Sequence, residues 1–204
     1  MRKPLLFIIA ICLSISLLIS NAFASSSEDG SFIFRDGITW GMSKEDITAL
    51  EGDDYRSVST DFEGFELLNY MDKQVSDFSA ELNLVFHQNL LICAGYFFYP
   101  DSQEDIDNLI LAYTTKYGES HPGKEDYLKL HQLTQPDYAE YCAAYDEDKF
   151  FKWYAPGNTD ILIFMEPVQF ETYSYTIATI YYIPPELPAA LAEINKTDIS
   201  LEGI

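Results

Sequence analysis

Residues 78–99 read Phe-Ser-Ala-Glu-Leu-Asn-Leu-Val-Phe-His-Gln-Asn-Leu-Leu-Ile-Cys-Ala-Gly-Tyr-Phe-Phe-Tyr. Phe78, Ala80, Leu82, Leu84 and Phe86 alternate with Ser79, Glu81, Asn83 and Val85. A period of two puts the first set on one face of a strand and the second on the other, so one face is dry and one is wetter. Gln88-Asn89 supplies a hairpin turn, and Leu90 to Tyr99 is apolar on both faces, as a central strand is. Pro100 ends it. The centre of this chain is therefore an antiparallel hairpin inside a larger sheet.

Helices flank the hairpin. Upstream, Ser43 caps a helix with Asp46 three residues on, a variant of the capping box. Ile47 and Leu50 face inward and Gly52 stops it, which predicts a helix over 44–51. Downstream, Ser102 caps a longer helix with Asp105 at its third position. Ile106, Leu109, Ile110, Tyr113 and Tyr117 form one apolar stripe, and Lys116 and Gly118 close it. Further strands are expected at 32–34 and 65–71, and then at roughly 139–145, 149–155, 160–166 and 173–183. Asp146-Glu147-Asp148 and Gly157-Asn158 mark turns between the later ones. In the last strand Tyr175, Ile177, Thr179, Tyr181 and Ile183 share a face. Segment 119–138 offers one short helix at 124–132, and a C-terminal helix is expected near 186–194.

Strands in runs with short connections predict an α+β fold, a mostly antiparallel sheet with two or three helices packed on it. Residues 32–194 form a single domain. A helix followed by a meander occurs twice, which allows two tandem halves, 32–100 and 101–194. Residues 195–204 read as a loose tail.

The chain has 204 residues, 33 acidic against 12 basic, for a net charge of -21. Nucleic-acid binding needs clustered Lys and Arg, and the few present are scattered, so that class is excluded. With 15 Tyr and 14 Phe the chain is too aromatic for a disordered acidic polymer. Its N-terminus reads as a secretory signal peptide. Arg2 and Lys3 precede an apolar run from Leu5 to Ile19, and Asn21-Ala22-Phe23-Ala24 gives an A-x-A pattern with cleavage between Ala24 and Ser25. The run of ~15 residues falls short of the ~20 that span a bilayer. Cys12 lacks the small residue before it and the polar stretch after it that lipidation signals show. Cleavage removes Arg2 and Lys3 and no acidic residue. It leaves a Ser-rich acidic leader at 25–31 and no stretch able to span a membrane, and the product is expected to be secreted or extracytoplasmic.

The stretch Ile38-Thr39-Trp40-Gly41-Met42-Ser43-Lys44-Glu45-Asp46-Ile47, with Leu50-Glu51-Gly52, resembles an opening motif of small exported bacterial proteins, mostly uncharacterised. These often read W-G-x-S-x-E-[DE]-[VI]-x-x-x-E-G, followed by hairpins and a helix ending in K-Y-G, here Lys116-Tyr117-Gly118. More distantly, G-M-S-K-x-x-I is similar to the helix start in small outer-membrane-assembly lipoproteins and in β-lactamase-inhibitor-protein type modules. That resemblance implies helices on an antiparallel sheet and a role in binding other proteins. In those distant relatives Gly-x-Pro often follows the first helix, whereas Asp53-Asp54 follows it here. The specific match spans about 15 residues, most of them explained by capping and packing, and it transfers no binding residue.

Motifs that carry chemistry are scarce. There is no G-x-S-x-G, P-loop, G-x-G-x-x-G or H-E-x-x-H, and no residue is assigned a catalytic, cofactor or metal role. Cys93 and Cys142 are the two cysteines beyond the leader. An even count in an exported protein allows a disulfide, closing a loop of about 50 residues and stabilising by about 4 kcal/mol, or equally two buried thiols in neighbouring strands. His87, His121 and His131 lack the short spacing of a zinc site and read as surface residues. The acidic clusters at 51–54, 101–107 and 146–148 lack EF-hand spacing; the second suits the positive end of a helix. The aromatic runs Tyr96 to Tyr99 and Phe150 to Tyr154 read first as core, and an exposed part of them as a contact surface. The expected function is an exported, non-catalytic binding or protein-interaction module whose partner is a protein or a basic ligand. The alternatives are a small secreted hydrolase with dispersed carboxylates, and an inhibitor of a secreted enzyme using a loop from 119–138.

Overall fold

A computed structural model describes residues 25–26, 32–59, 65–75, 78–170 and 172–192. The segments read above as a signal peptide, 1–24, and as a tail, 195–204, lie outside the described residues. In chain order the elements are β1 (Ser25–Ser26), β2 (Phe32–Ile33), α1 (Lys44–Glu51), β3 (Arg56–Ser59), β4 (Phe65–Val75), β5 (Phe78–His87) and β6 (Leu90–Phe98). Then come α2 (Gln103–Tyr117), β7 (His121–Pro122), α3 (Lys124–Thr134), α4 (Pro136–Ala143), β8 (Phe150–Ala155), β9 (Thr159–Gln169), β10 (Ser174–Ile183) and α5 (187–192). The fold is α+β, with five helices among the described residues rather than two or three.

β3 to β10 form one eight-stranded sheet in the order β3-β4-β5-β6-β10-β9-β8-β7, and every pair is antiparallel. The order is a palindrome of two four-stranded meanders that meet at β6 and β10, with Tyr96 opposite Ile180 near the middle of the seam. Reading the order inward from both rims makes β3–β6 the topological counterparts of β7–β10, each set preceded by a helix, α1 or α2. The two halves thus share a continuous sheet.

Both helices of this plan lie on one face. Ile47 of α1 and Leu109 and Tyr113 of α2 pack with Leu68, Leu82, Leu84, Tyr96, Ile161, Ile163, Ile180 and Tyr182 in one core. Phe34 closes the core over the seam, its ring 5.3 Å from Tyr96 and 4.8 Å from Tyr182. Trp40 ties the segment before α1 to the other half, its indole N–H donating to Thr159 Oγ1 at 3.0 Å.

The halves also end their helices alike. The hydroxyls of Ser43 and Ser102 accept from the N–H of Asp46 and Asp105. Gly52 and Gly118 follow α1 and α2 at φ 93 and 88. The Gly52 carbonyl accepts from Tyr70 on β4 at 3.0 Å, and the Gly118 carbonyl accepts from Trp153 on β8 at 3.1 Å. β4 and β8 hold equivalent places in the strand order, each second from its rim.

The second half carries an insertion. Where a single connection joins β3 to β4, helices α3 and α4 stand between β7 and β8. They cross to the opposite face. There Tyr127, Cys142, Leu187 and Leu191, from α3, α4 and α5, cover Phe150, Leu162, Phe164 and Ile183. Lys152, buried on β8, holds Asp126 of α3 at 2.9 Å and Asp160 of β9 at 2.8 Å.

Two expectations are corrected here. The strand expected at 139–145 is helix α4, with Pro136 in its first turn, where the missing N–H costs nothing. Segment 119–138 is not a protruding loop but β7, α3 and the start of α4.

Candidate functional site

Side-chain alternation and register define what lies on the face that carries α3 to α5. Asn69 stands opposite Asn83, and Asn83 opposite Gly95. In the adjacent row Glu81 stands opposite Phe97, and Phe97 opposite Thr179. Further along, Ile177 stands opposite Glu166. In this more open part of the face Tyr99 and Tyr175 are exposed and Glu81, Phe97, Ile177 and Glu166 half-buried, while Asn83 and Thr179 between them are buried. Leu67, Phe97, Tyr99, Ile177 and Tyr175 pack into neither core cluster.

Its polar groups are arranged rather than scattered. Asn69 Nδ2 donates to Glu81 Oε2 at 3.2 Å and to Asn83 Oδ1 at 3.0 Å. Burial and then the Glu81 charge push the Tyr99 phenol above its ordinary value. Glu166 accepts from Tyr141 at 2.9 Å and from Tyr138 at 3.3 Å, both from α4. Neither Glu81 nor Glu166 enters an ion pair with a described residue. Asn83 Nδ2 and Thr179 Oγ1 are buried with no hydrogen-bond partner.

One end of this face is aromatic. Phe170, Tyr173 and Tyr175, at the β9–β10 connection, are 45%, 57% and 36% exposed, and Tyr99 is 51% exposed. The three rings lie nearly parallel, with centroids 4.7 to 6.2 Å apart. Exposed contiguous apolar surface rimmed by polar groups marks interaction sites.

Compared with known proteins, the chain matches no family model, no curated protein and no solved structure.

The residues singled out in the sequence fall elsewhere. Cys93 on β6 and Cys142 on α4 meet in the second core, not in neighbouring strands, and both thiols are free and buried. Burial pushes Cys93 up to about 12 and Cys142 to about 11, so neither is a nucleophile at neutral pH. The three histidines are dispersed. His87 lies against Phe65 and His121 against Tyr154. His131 is not on the surface but 5% exposed, caged by Tyr127, Tyr138 and Tyr181. The acidic residues at the start of α2 act locally: Asp105 bonds Ser102 and the Asp101 N–H, and Asp107 accepts from Gln103. Among the described residues no three His, Cys, Asp or Glu side chains are grouped to hold a metal. No described helix is long and apolar enough to cross a membrane.

Two further places, a buried carboxylate and a groove, lie outside this face. Glu51 is 4% exposed and sits between Arg35 and Lys73, each at 2.8 Å, a structural clamp on the end of α1. A groove of about 640 Å³ runs beside α2 on the other face, lined by Ile106, Ile110, Leu111, Phe151 and Met165. Its rim carboxylates are engaged, Asp107 by Gln103 and Asp148 by Lys149.

The open face was half legible. The polar alternation of Ser79, Glu81 and Asn83 marked a wetter face, and the shared face of Tyr175, Ile177 and Thr179 was visible in β10. That these faces coincide depends on the β6–β10 pairing, for which one sequence carries no signal.

Proposed function

We propose that this chain is an exported, non-catalytic protein-interaction module that receives its partner on the open half of the sheet face. The observation that carries the reading is the row Glu81–Phe97–Thr179 with its aromatic end, which joins neither core although it lies in the middle of a sheet. Hot spots of protein interfaces are aromatic and centrally placed, with polar groups at their rim. The signal-like segment 1–24 supports export, and the strongly acidic composition supports a protein partner over a nucleic acid.

The test is site-specific photocrosslinking in the source organism. A photoreactive side chain at Phe97 or Tyr99 should yield one discrete conjugate of defined mass, and the same group at Leu111, on the opposite face, should not. Equal conjugation from Leu111 overturns the placement. Substrate turnover lost on a single carboxylate substitution overturns the non-catalytic reading.

A further inference from the structure

Glu81 and Glu166 are the two carboxylates oriented on the open face, one by Asn69 and the other by Tyr138 and Tyr141. An ionised carboxylate accepts about four hydrogen bonds, so each keeps free capacity. The surface between them is Phe97, Thr179 and Ile177, with Tyr99 and Tyr175 alongside. An anionic ligand is repelled by this pair. A purely apolar ligand leaves the Asn83 amide and the Thr179 hydroxyl buried and unpaired. These two side chains are 8% and 2% exposed, and both offer donors that a peptide carbonyl satisfies. The ligand that answers every group is a peptide carrying cations.

The sheet fixes the spacing. Glu81 on β5 and Glu166 on β9 are three strand intervals apart, roughly 14 Å, and Glu166 lies two residues beyond the Glu81–Phe97–Thr179 row, so the two backbones stand about 16 Å apart. No single side chain reaches both. An extended peptide advances about 3.3 Å per residue and repeats its face every second residue, so positions i and i+4 lie about 13 Å apart, and the reach of two long side chains covers the remaining few ångströms. Arginine fits better than lysine. Its planar guanidinium forks onto a carboxylate and stacks on an aromatic face, and Phe97, Tyr99 and Tyr175 provide such faces.

Resting on the interaction reading above, we infer that the open face binds an extended segment of a protein partner with arginines at i and i+4, one on Glu81 and one on Glu166, its backbone carbonyls on Asn83 and Thr179.

The probe is the capped peptide Arg-Gly-Ala-Gly-Arg, titrated into the protein lacking residues 1–24 at 0.15 M salt and followed by amide NMR shifts. Saturable shifts are expected at Asn69, Asn83, Gly95, Phe97 and Thr179. Affinity should fall at least tenfold when both arginines become citrulline, when they are placed side by side in the same composition, and in the double variant E81Q/E166Q. It should hold in E119Q/E140Q, which removes the same charge elsewhere. Equal binding by the side-by-side or citrulline peptide overturns the inference, as does an equal loss in E119Q/E140Q, which reduces the effect to general attraction by an acidic protein. If E81Q/E166Q does not fold, the peptide comparisons on the unaltered protein decide. If the Phe97 photoconjugate survives in E81Q/E166Q at full yield, the arginine site falls while the interaction module stands.

Discussion

His131 and Glu51 show two ways of burying a polar side chain. Glu51 is held by two cations, which offset the cost of leaving water. His131 has neither ring nitrogen paired, and burial pulls it from 6.5 down to about 4. The rings facing it, Tyr127 on α3, Tyr138 on α4 and Tyr181 on β10, are neutral throughout that range because burial raises each of them. The sign follows directly. The unfolded chain takes up a proton near pH 6.5 and the folded chain only near 4, so stability present above 6.5 is lost as pH falls towards 4 and does not change further below it. The loss is on the order of 3 kcal/mol. Urea midpoints should therefore drop between pH 7 and 4.5, and His131→Phe should flatten much of that slope. An unchanged slope would show that His131 is satisfied in solution.

The same residue explains a misreading. In sequence His131 looks like any surface histidine of a polar helix, and its enclosure needs Tyr138 of α4 and Tyr181 of β10 beside Tyr127 of its own helix. Helices α1 and α2 and strands β5 and β6 were legible because each carries its own terminator: Ser43, Gly52, Ser102, Gly118, Asn89 and Pro100. α4 was missed although Tyr138, Tyr141 and Tyr145 recur at i, i+3 and i+7, a helical spacing, with Pro136 at the start. β3 and β7, four and two residues long, give too little pattern to read. The matched caps make a prediction at the scale of the helix. Gly52 and Gly118 share a backbone conformation, near φ 90 and ψ 180, that is almost exclusive to glycine, yet a Cβ at either would meet nothing within 4 Å. Alanine there should cost about 1–3 kcal/mol from backbone strain alone. The two effects should add, since α1 and α2 lie in different halves. Denaturant titration of both single variants and the double variant checks this. A strongly non-additive result would mean that the two helices unfold through one shared contact.

For the molecule as a whole, the seam between β6 and β10 decides how the halves depend on each other. Tyr96 and Tyr182, in register with the facing strand, bury their rings with Phe34 across that boundary. An isolated 32–100 half keeps its helix and meander but bares the full edge of β6 and loses Tyr182, Trp153 and Ile180 from its core. It should fail to fold, giving poorly dispersed NMR spectra and early aggregation, despite its domain-like pattern. A well-dispersed spectrum from that fragment would make the halves independent modules. The seam also joins residues distant in sequence, so refolding should be slow for a chain of this size.

The palindrome has one more consequence, at the two outer rims of the sheet. β3 ends one rim after four residues, and β7 ends the other after two, one of them Pro122, which has no N–H to offer. Rims this short give a neighbouring chain little to pair with, which works against growth into a fibre when copies crowd together. The surface proposed above for a partner is, by contrast, a bounded patch, where occupancy would saturate, and not a border, where it would propagate.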